Sequence, residues 1–161
     1  MLAGLDRESN IIMVTSSLPG EGKTTLSLNL AHALGHMHKT LLIDADMRRP
    51  MVGRAHGRAR QEPGLSGFVT NQCSFEESVT RSEDSDLTIM HSGVVPPNPL
   101  ELLGSSRFAQ VIQELRSQYQ YIVVDCAPAL AVSDALMLSK LVDAVLYVIK
   151  ADSTPHQAAT E

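Results

Sequence analysis

The stretch "SSLPGEGKTT" (residues 16–25) predicts a loop that holds phosphate groups. Its last part, Gly22-Lys23-Thr24, matches the end of the P-loop pattern G-x-x-x-x-G-K-[ST], but the first glycine of that pattern falls on Ser17. An apolar run precedes the loop and a helical pattern follows it. Backbone N–H groups at a helix N-terminus attract anions, so this setting suits a phosphate. The alternative is a Gly-Pro turn that only connects a strand to a helix.

The residue types of this loop suit the phosphates of a nucleotide. Gly20 and Gly22 let the backbone turn tightly and approach oxygen atoms without a Cβ in the way. Lys23 is expected to reach the β- and γ-phosphates, and the Thr24 hydroxyl is expected to ligate Mg²⁺. The loop therefore predicts a site for a nucleotide together with its magnesium ion.

Short apolar runs alternate with helical patterns along the chain. The runs that predict buried strands are 10–16, 40–44, 87–91, 121–125 and 144–149. The patterns that predict helices are 23–35, 100–119 (with Ser105 or Ser106 as a cap within it) and 133–142 (capped by Ser133 or Asp134). Residues 47–85 give only weak helical signals, at 64–69 and 75–79. This order predicts an α/β, P-loop NTPase-like fold, with a mostly parallel sheet and helices on both faces.

Carboxylates end two of the predicted strands. Asp44 ends one strand and Asp46 follows two residues later, which puts both side chains on one side while the extended geometry lasts. Asp125 ends another apolar run. In a parallel sheet these carboxylates would lie at the same edge as the phosphate loop, where a divalent cation needs hard oxygen ligands. The alternative is that they are only turn-forming or helix-capping residues.

Composition excludes several classes of function. The 161 residues suit one domain, with 43% hydrophobic and 19% charged residues. A net charge of -5 and only 4% aromatic residues argue against nucleic acid as a partner. Cys73 and Cys126 lack metal-ligand spacing and indicate a reducing, cytosolic setting, with Cys126 as a small core residue. His32 and His36, four apart on one predicted helix, have no further ligand motif beside them.

Five segments, in their order and spacing, resemble the bacterial tyrosine kinases (BY-kinases), P-loop proteins of capsule and exopolysaccharide production. The segments are "TSSLPGEGKTT" (15–25), "LLIDADMRRP" (41–50), "GLSGFV" (64–69), "GVVPPNPLELLGSSRF" (93–108) and "YIVVDCAPALAVSDA" (121–135). The resemblance runs from about residue 10 to residue 155. In this family the first, second and last segments are the Walker A, Walker A′ and Walker B motifs, and a small residue other than glycine is tolerated at the position of Ser17.

The resemblance implies an ATP- and Mg²⁺-dependent transfer of phosphate to tyrosine hydroxyls. The residues it assigns to the nucleotide are Ser17, Pro19, Gly20, Glu21, Gly22, Lys23, Thr24, Thr25 and Arg48. The metal residues are Thr24, Asp44, Asp46 and Asp125, and the catalytic residues are Lys23, Asp44 and Asp46. One of the two Walker A′ carboxylates would take the proton of the tyrosine, since a phenol with a pKa near 10 is a poor nucleophile.

Two other functions remain open on the sequence alone. Partitioning and division-site ATPases carry a second lysine early in the loop, in the pattern K-G-G-x-G-K-[ST]. That lysine would fall on Leu18, which cannot supply the charge, so the kinase is favoured. The other possibility is a nucleotide-sensing module without chemistry that regulates a membrane polysaccharide co-polymerase.

The resemblance also sets expectations about the rest of the protein. Residues 1–161 are expected to be a single truncated domain without the assembly helix before the first strand, the last helix and strand, and the C-terminal tyrosine cluster. Tyr119, Tyr121 and Tyr147 are the tyrosines present, and the last two lie in predicted core strands. The full-length protein is expected to form a ring and to work at the inner face of the cell membrane. Its other partner would be a transmembrane co-polymerase segment, in the same or a separate chain.

A basic stretch follows the Walker A′ motif. It contains Arg48, Arg49, Arg54, Arg58 and Arg60. Its functional interpretation is a contact to phosphate or to the acidic, tyrosine-bearing tail of a neighbouring subunit, mainly through Arg48 and Arg49. A solvated loop is the structural alternative.

Overall fold

The structure is a computed structural model that describes residues 10–57 and 62–151. The strands in these ranges are β1 Asn10–Ser16, β2 Thr40–Asp44, β3 Val79–Arg81, β4 Leu87–Met90, β5 Tyr121–Asp125 and β6 Ala144–Val148. The helices are α1 Lys23–Gly35, α2 Val52–Ala55, α3 Leu65–Val69, α4 Phe75–Ser78, α5 Pro99–Leu103, α6 Ser106–Arg116 and α7 Asp134–Ser139.

The strands form one sheet in the order β3-β4-β2-β5-β1-β6. Every neighbouring pair is parallel except β3 with β4, which is antiparallel. β5 lies between β1 and β2, with Asp125 level with Val14 on one side and with Asp44 on the other. The carboxyl ends of these three strands therefore meet at one edge of the sheet, which is where parallel α/β sheets bind their ligands.

Alternate strand residues face opposite sides of the sheet and build two apolar layers. Ile11 and Met13 of β1 belong to the layer that α6 covers with Phe108 and Val111. Ile12 and Val14 belong to the layer that α1 covers with Ala31 and Leu34. Both faces are thus closed by helices, as the near-continuous apolar strands require. The predicted α/β fold is confirmed.

Several sequence-based boundaries change in the structure. The predicted helix 100–119 is two helices, α5 and α6, because the chain breaks at Gly104 and the Ser105 side chain caps α6 by accepting from the backbone N–H of Phe108. The predicted helix 133–142 is the shorter α7, preceded by Ser133, whose side chain makes no capping hydrogen bond. Within 47–85, the two weak signals become α3 and α4, whereas α2 and β3 carried no signal.

The interpretation of β6 as a buried strand is wrong. β6 pairs with β1 at the edge of the sheet, and its residues are largely exposed. Tyr147 is accordingly 41% exposed, whereas Tyr121, in central β5, is 8% exposed. Cys126 is buried as expected, and burial raises the pKa of its thiol.

None of the helices within residues 10–57 and 62–151 combines the length and the apolar character needed to cross a bilayer.

Candidate functional site

The loop between β1 and α1 forms an open cradle. Gly20 and Gly22 have φ values of +82° and +90°, in the left-handed region that glycine adopts without strain. A Cβ built on either residue would meet no atom within 4 Å, so the free side of the loop is open space. A backbone of this shape at the start of a helix directs its N–H groups toward an anion.

The backbone conformation at Ser17 shows why this loop does not need the first glycine of the strict pattern. Among the described residues, the only non-glycine with positive φ is Asn71, so Ser17 takes an ordinary backbone conformation. The side chain is fully buried, and its hydroxyl donates to the Tyr147 hydroxyl at 3.0 Å. A serine therefore fits this position without strain.

The Lys23 side chain lies between two carboxylates. Its Nζ is 2.8 Å from Asp46 Oδ2 and 3.7 Å from Asp125 Oδ1. Burial by itself would lower the pKa of Lys23, but the negative field of Asp125, Asp46 and Asp44 raises it above the usual value. Lys23 therefore stays charged although only 8% of it is exposed. A fixed positive charge at the start of α1 is what phosphate binding requires.

Asp125 lies at the centre of a hydrogen-bond network. Its Oδ2 accepts from the Thr24 hydroxyl at 2.7 Å, and its Oδ1 accepts from the Ser27 hydroxyl at 3.0 Å. Burial raises the pKa of Asp125, while Lys23 and the two hydroxyls oppose that rise. Sequence reasoning missed Ser27. The available signal was its position four residues after Lys23, on the same face of α1.

The two Walker A′ carboxylates have different surroundings. Asp46 faces the cavity, and its Oδ1 accepts the backbone N–H of Arg49 at 3.1 Å. Asp44 is fully buried, and its Oδ2 accepts the backbone N–H of Val52 at 3.1 Å. Burial and the neighbouring carboxylates raise the pKa of Asp44 to about 8. Because its Oδ1 is buried without a hydrogen-bond partner among residues 10–57 and 62–151, Asp44 has an acceptor available for a cation.

A cavity of about 700 Å³ opens over the glycine loop. The sequence-assigned residues on its wall are Pro19, Gly20, Gly22, Lys23, Thr24, Thr25, Asp46 and Arg48. The other sequence-assigned residues, Ser17, Glu21, Asp44 and Asp125, lie outside this lining. Glu21 instead accepts the backbone N–H of Leu18 at 2.7 Å. The rest of the wall is mostly apolar, with Leu28, Met51, Pro128 and Val132 among its members.

The described arginines after the Walker A′ carboxylates have different surroundings. Arg48 and Arg49 line the cavity, whereas Arg54 is exposed and contacts Met51. Arg58 and Arg60 lie outside the described residues. Arg48 Nε and Nη2 donate to the two oxygens of Asp134, at 3.1 and 3.2 Å. Asp134 was missed as a site residue, although it stands in the quoted segment 121–135.

The donor set fits a magnesium ion that arrives with a nucleotide. No group of three or more His, Cys, Asp or Glu side chains is arranged to hold a metal by itself in the described ranges, His32 and His36 included. Nucleotide-bound Mg²⁺ needs only one or two protein ligands, because phosphates and waters supply the rest. The Thr24 hydroxyl and the Asp125 carboxylate lie next to each other and would be the protein ligands of such an ion. Asp44 Oδ1, which has no hydrogen-bond partner among the described residues, is a further oxygen for it.

Comparison with known proteins gives concordant matches. The model of the AAA domain family matches residues 9–158. Tyrosine-protein kinase YwqD of Bacillus subtilis is 36% identical over 160 residues, which cover 99% of this chain and 67% of that protein. The solved kinase domain of VpsO superposes with a TM-score of 0.93 at 45% identity, covering 99% of this chain and 77% of that one. The chain thus spans about two thirds of the length of a curated relative.

A positioning ATPase shares the fold at greater distance. The septum site-determining protein MinD of Pyrococcus horikoshii, solved in complex with Mg-ADP, matches with a TM-score of 0.70 and 24% identity. The match covers 87% of this chain and 57% of that one. At this identity the likeness shows the fold alone, a nucleotide-binding fold.

Proposed function

This chain belongs to the bacterial tyrosine kinase family of P-loop proteins, and from that premise we propose that it transfers a phosphoryl group from MgATP to tyrosine hydroxyls. The observation that carries the proposal is the Lys23 ammonium, held between Asp46 and Asp125 at the base of the glycine cradle. The relatives' names support tyrosine as the acceptor. A loose phosphoryl-transfer transition state is catalysed mainly by positioning and charge, and this arrangement provides both.

Each residue of the cradle has a role in the proposed reaction. Bound MgATP supplies the phosphoryl group and a metal ion that neutralises its charge. The N–H groups at Gly20 and Gly22 and the Lys23 ammonium hold the phosphates. Thr24 and Asp125 hold the metal directly or through water, with Asp44 and Asp46 in support. Thr25, on the wall one residue further along α1, reaches the α-phosphate.

Asp46 is the better placed of the two Walker A′ carboxylates to accept the tyrosine proton. It lines the cavity, so an incoming hydroxyl can reach it. Asp44 is sealed from solvent, and with a pKa of about 8 it is largely protonated at neutral pH in the metal-free protein. We therefore assign the base to Asp46 and a metal-supporting role to Asp44.

The cellular role that fits this reaction is the control of capsule or exopolysaccharide synthesis and export. In the proposal, the full-length protein assembles into a ring at the inner face of the cell membrane, next to a transmembrane polysaccharide co-polymerase segment. Membership of the family supports this setting. The acidic net charge of -5 supports protein partners over nucleic acid.

The test is to incubate the full-length protein with MgATP and to measure phosphotyrosine by mass spectrometry and released phosphate in the same sample. We expect phosphotyrosine in the unmodified protein and none in Lys23→Met, because the phosphates lose their main positive charge. Lys140→Met is the matched control, since Lys140 is an exposed lysine at the end of α7 and away from the cavity.

The same measurement separates the kinase from the two other functions. Phosphate release without phosphotyrosine would overturn the kinase in favour of a positioning ATPase. Nucleotide binding with neither product would indicate a sensing module. Leu18 stands where a positioning ATPase has its second lysine, which favours the kinase outcome.

A further inference from the structure

Arg48 and Asp134 join the two loops that flank the cavity. Arg48 follows β2 in the Walker A′ segment, and Asp134 begins α7 at the end of the Walker B segment. Arg48 donates from Nε and Nη2 to both carboxylate oxygens, the side-on fork that fixes the orientation of a guanidinium plane. The two residues are 86 positions apart in sequence, so only the fold brings them together.

The burial of the pair is strongly unequal. The Asp134 side chain has no exposed surface, whereas that of Arg48 is 40% exposed and forms part of the cavity wall. Arg48 is the one cation paired with Asp134 among the described residues. The buried Asp134 carboxylate therefore fixes the position of the pair, and the Arg48 guanidinium is the group that a ligand in the cavity can contact.

The fork leaves hydrogen-bond capacity on the side chain of Arg48. A guanidinium has five N–H groups, and a side-on fork uses one from Nε and one from Nη2. The two on Nη1 and the second on Nη2 have no partner in the described part of the chain. Planar donors of this kind, desolvated on one side and held in one orientation, match the oxygens of a phosphoryl group.

We propose that Asp134 is a positioning residue that holds the guanidinium of Arg48 in the cavity wall, oriented toward the terminal phosphoryl group of ATP. This inference rests on the proposed function, because it assigns a residue to the same site. Asp46 supports the placement of Arg48 near the phosphates. It pairs with Lys23, the expected phosphate ligand, on the wall of the same cavity, and it precedes Arg48 by two residues.

A purely structural role is the competing explanation for Asp134. An acidic residue in the first turn of a helix is favourable by itself, and Asp134 is the first residue of α7. Such a role would affect stability without distinguishing ATP from ADP. If Asp134 orients Arg48 toward the terminal phosphate, its loss should weaken the binding of ATP but not of ADP, since ADP lacks that phosphate.

The test measures binding of AMP-PNP and ADP, each with Mg²⁺, to the full-length protein and to Asp134→Asn. We expect AMP-PNP affinity to fall about tenfold, the size of one charge-assisted hydrogen bond, and ADP affinity to stay unchanged. Asp143→Asn is the matched control, because Asp143 pairs with Arg116 away from the cavity. Equal losses for both nucleotides, or no loss, would overturn the proposal.

A double-mutant comparison tests whether Asp134 acts through Arg48. Once Arg48→Met is present, Asp134→Asn should cause no further loss of AMP-PNP affinity. Additive losses would overturn the proposal. If Asp134→Asn does not fold, Arg48→Lys serves instead, since a lysine keeps the charge but cannot form the fork. It should show the same selective loss of AMP-PNP affinity, and unchanged affinity would contradict the inference.

These outcomes are distinct from a failure of the proposed function. A protein that forms no phosphotyrosine but still loses AMP-PNP affinity selectively in Asp134→Asn would refute the kinase and keep the positioning role. A working kinase in which Asp134→Asn binds both nucleotides normally would do the reverse.

Discussion

Two ion pairs, each between a basic side chain and a carboxylate, lie in opposite environments in this molecule. Lys23 and Asp46 are 2.8 Å apart, and their side chains are 10% and 5% exposed. Arg81 of β3 and Glu76 of α4 approach at least as closely, with two hydrogen bonds of 2.5 and 2.8 Å, but their side chains are 56% and 66% exposed. Distance therefore does not distinguish the two pairs, whereas the solvent around them does.

The difference shows what a buried charge cluster is for. Removing two charges from water costs several kcal/mol per ion, and their attraction seldom offsets this loss completely. An exposed pair avoids that cost and in return contributes little to stability. Stability alone therefore does not account for the buried cluster of Lys23, Asp46 and Asp125. Its position under the glycine cradle gives it a functional explanation.

The largest effect is expected from Lys23→Met, which would leave Asp46 and Asp125 buried without their cation. We expect the free energy of unfolding at pH 8 to fall by about 3–5 kcal/mol, the usual result of breaking one side of a buried pair. Urea unfolding measures it. At pH 5 the loss should be smaller, because Asp125, whose pKa burial already raises, can take up a proton. Equal stability of both proteins at pH 8 would show that the buried cluster relaxes as easily as a surface pair.

The next effect concerns the Walker B carboxylate. Asp125→Asn keeps one acceptor oxygen for either the Thr24 or the Ser27 hydroxyl, presents its NH2 group to the other and removes the charge, so stability should change less than with Lys23→Met. We expect kcat for tyrosine phosphorylation to fall by at least about a hundredfold, comparable to the loss of one transition-state contact. In a titration with Mg²⁺, the variant should need a higher Mg²⁺ concentration for half-maximal activity. Normal kinetics in this variant would remove Asp125 from the site.

A smaller effect, with a defined sign, comes from Asp44. Its native pKa of about 8 lies above the ordinary pKa of 3.8 for an aspartate side chain, so between these values the native state holds a proton that the unfolded state has lost. Stability of the chelator-treated protein should therefore fall as pH rises from 4 to 8, and the fall should level off once the pH passes the native pKa.

Asp44→Asn isolates this contribution. The amide imitates the protonated acid, so the variant should match the unmodified protein near pH 4 and exceed its stability near pH 8. Urea unfolding across the pH range supplies the difference curve. Parallel curves for the two proteins would mean that Asp44 does not titrate in this window.

Features that depend on neighbouring residues could be predicted from the sequence, whereas features that depend on distant residues could not. The central strands were found because strands buried on both faces are continuous apolar runs. The cradle and its acids were found because Gly22-Lys23-Thr24 and the aspartates at strand ends are local patterns. β3 was missed because three residues carry too little pattern, and β6 was placed inside because an apolar run does not show which strand is at the edge.

The missed site residues are those that tertiary packing brings in. Ser27 reaches Asp125 across 98 positions of sequence, and Asp134 reaches Arg48 across 86. The spacing of Ser27 from Lys23 places both on one face of α1 but does not show that Asp125 lies against that face, and the contact of Asp134 with Arg48 has no sequence spacing of its own. The Asp44 environment is similar, since its raised pKa comes from burial, from Asp125 at the end of β5 and from Asp46, which follows β2.

The smallest effect is expected at the surface pair. Arg81 lowers the pKa of Glu76 by hydrogen bonding, but both groups remain in water and their attraction is screened by salt. Arg81→Met and Glu76→Gln should each leave the Tm unchanged within experimental error, and 1 M NaCl should have no differential effect on the variants. Calorimetry of the three proteins side by side measures this. A drop in Tm comparable to that of Lys23→Met would show that exposure is not what separates the two pairs. The expected result leaves burial, rather than pairing geometry, as the reason that charge removal matters at Lys23 and not at Arg81.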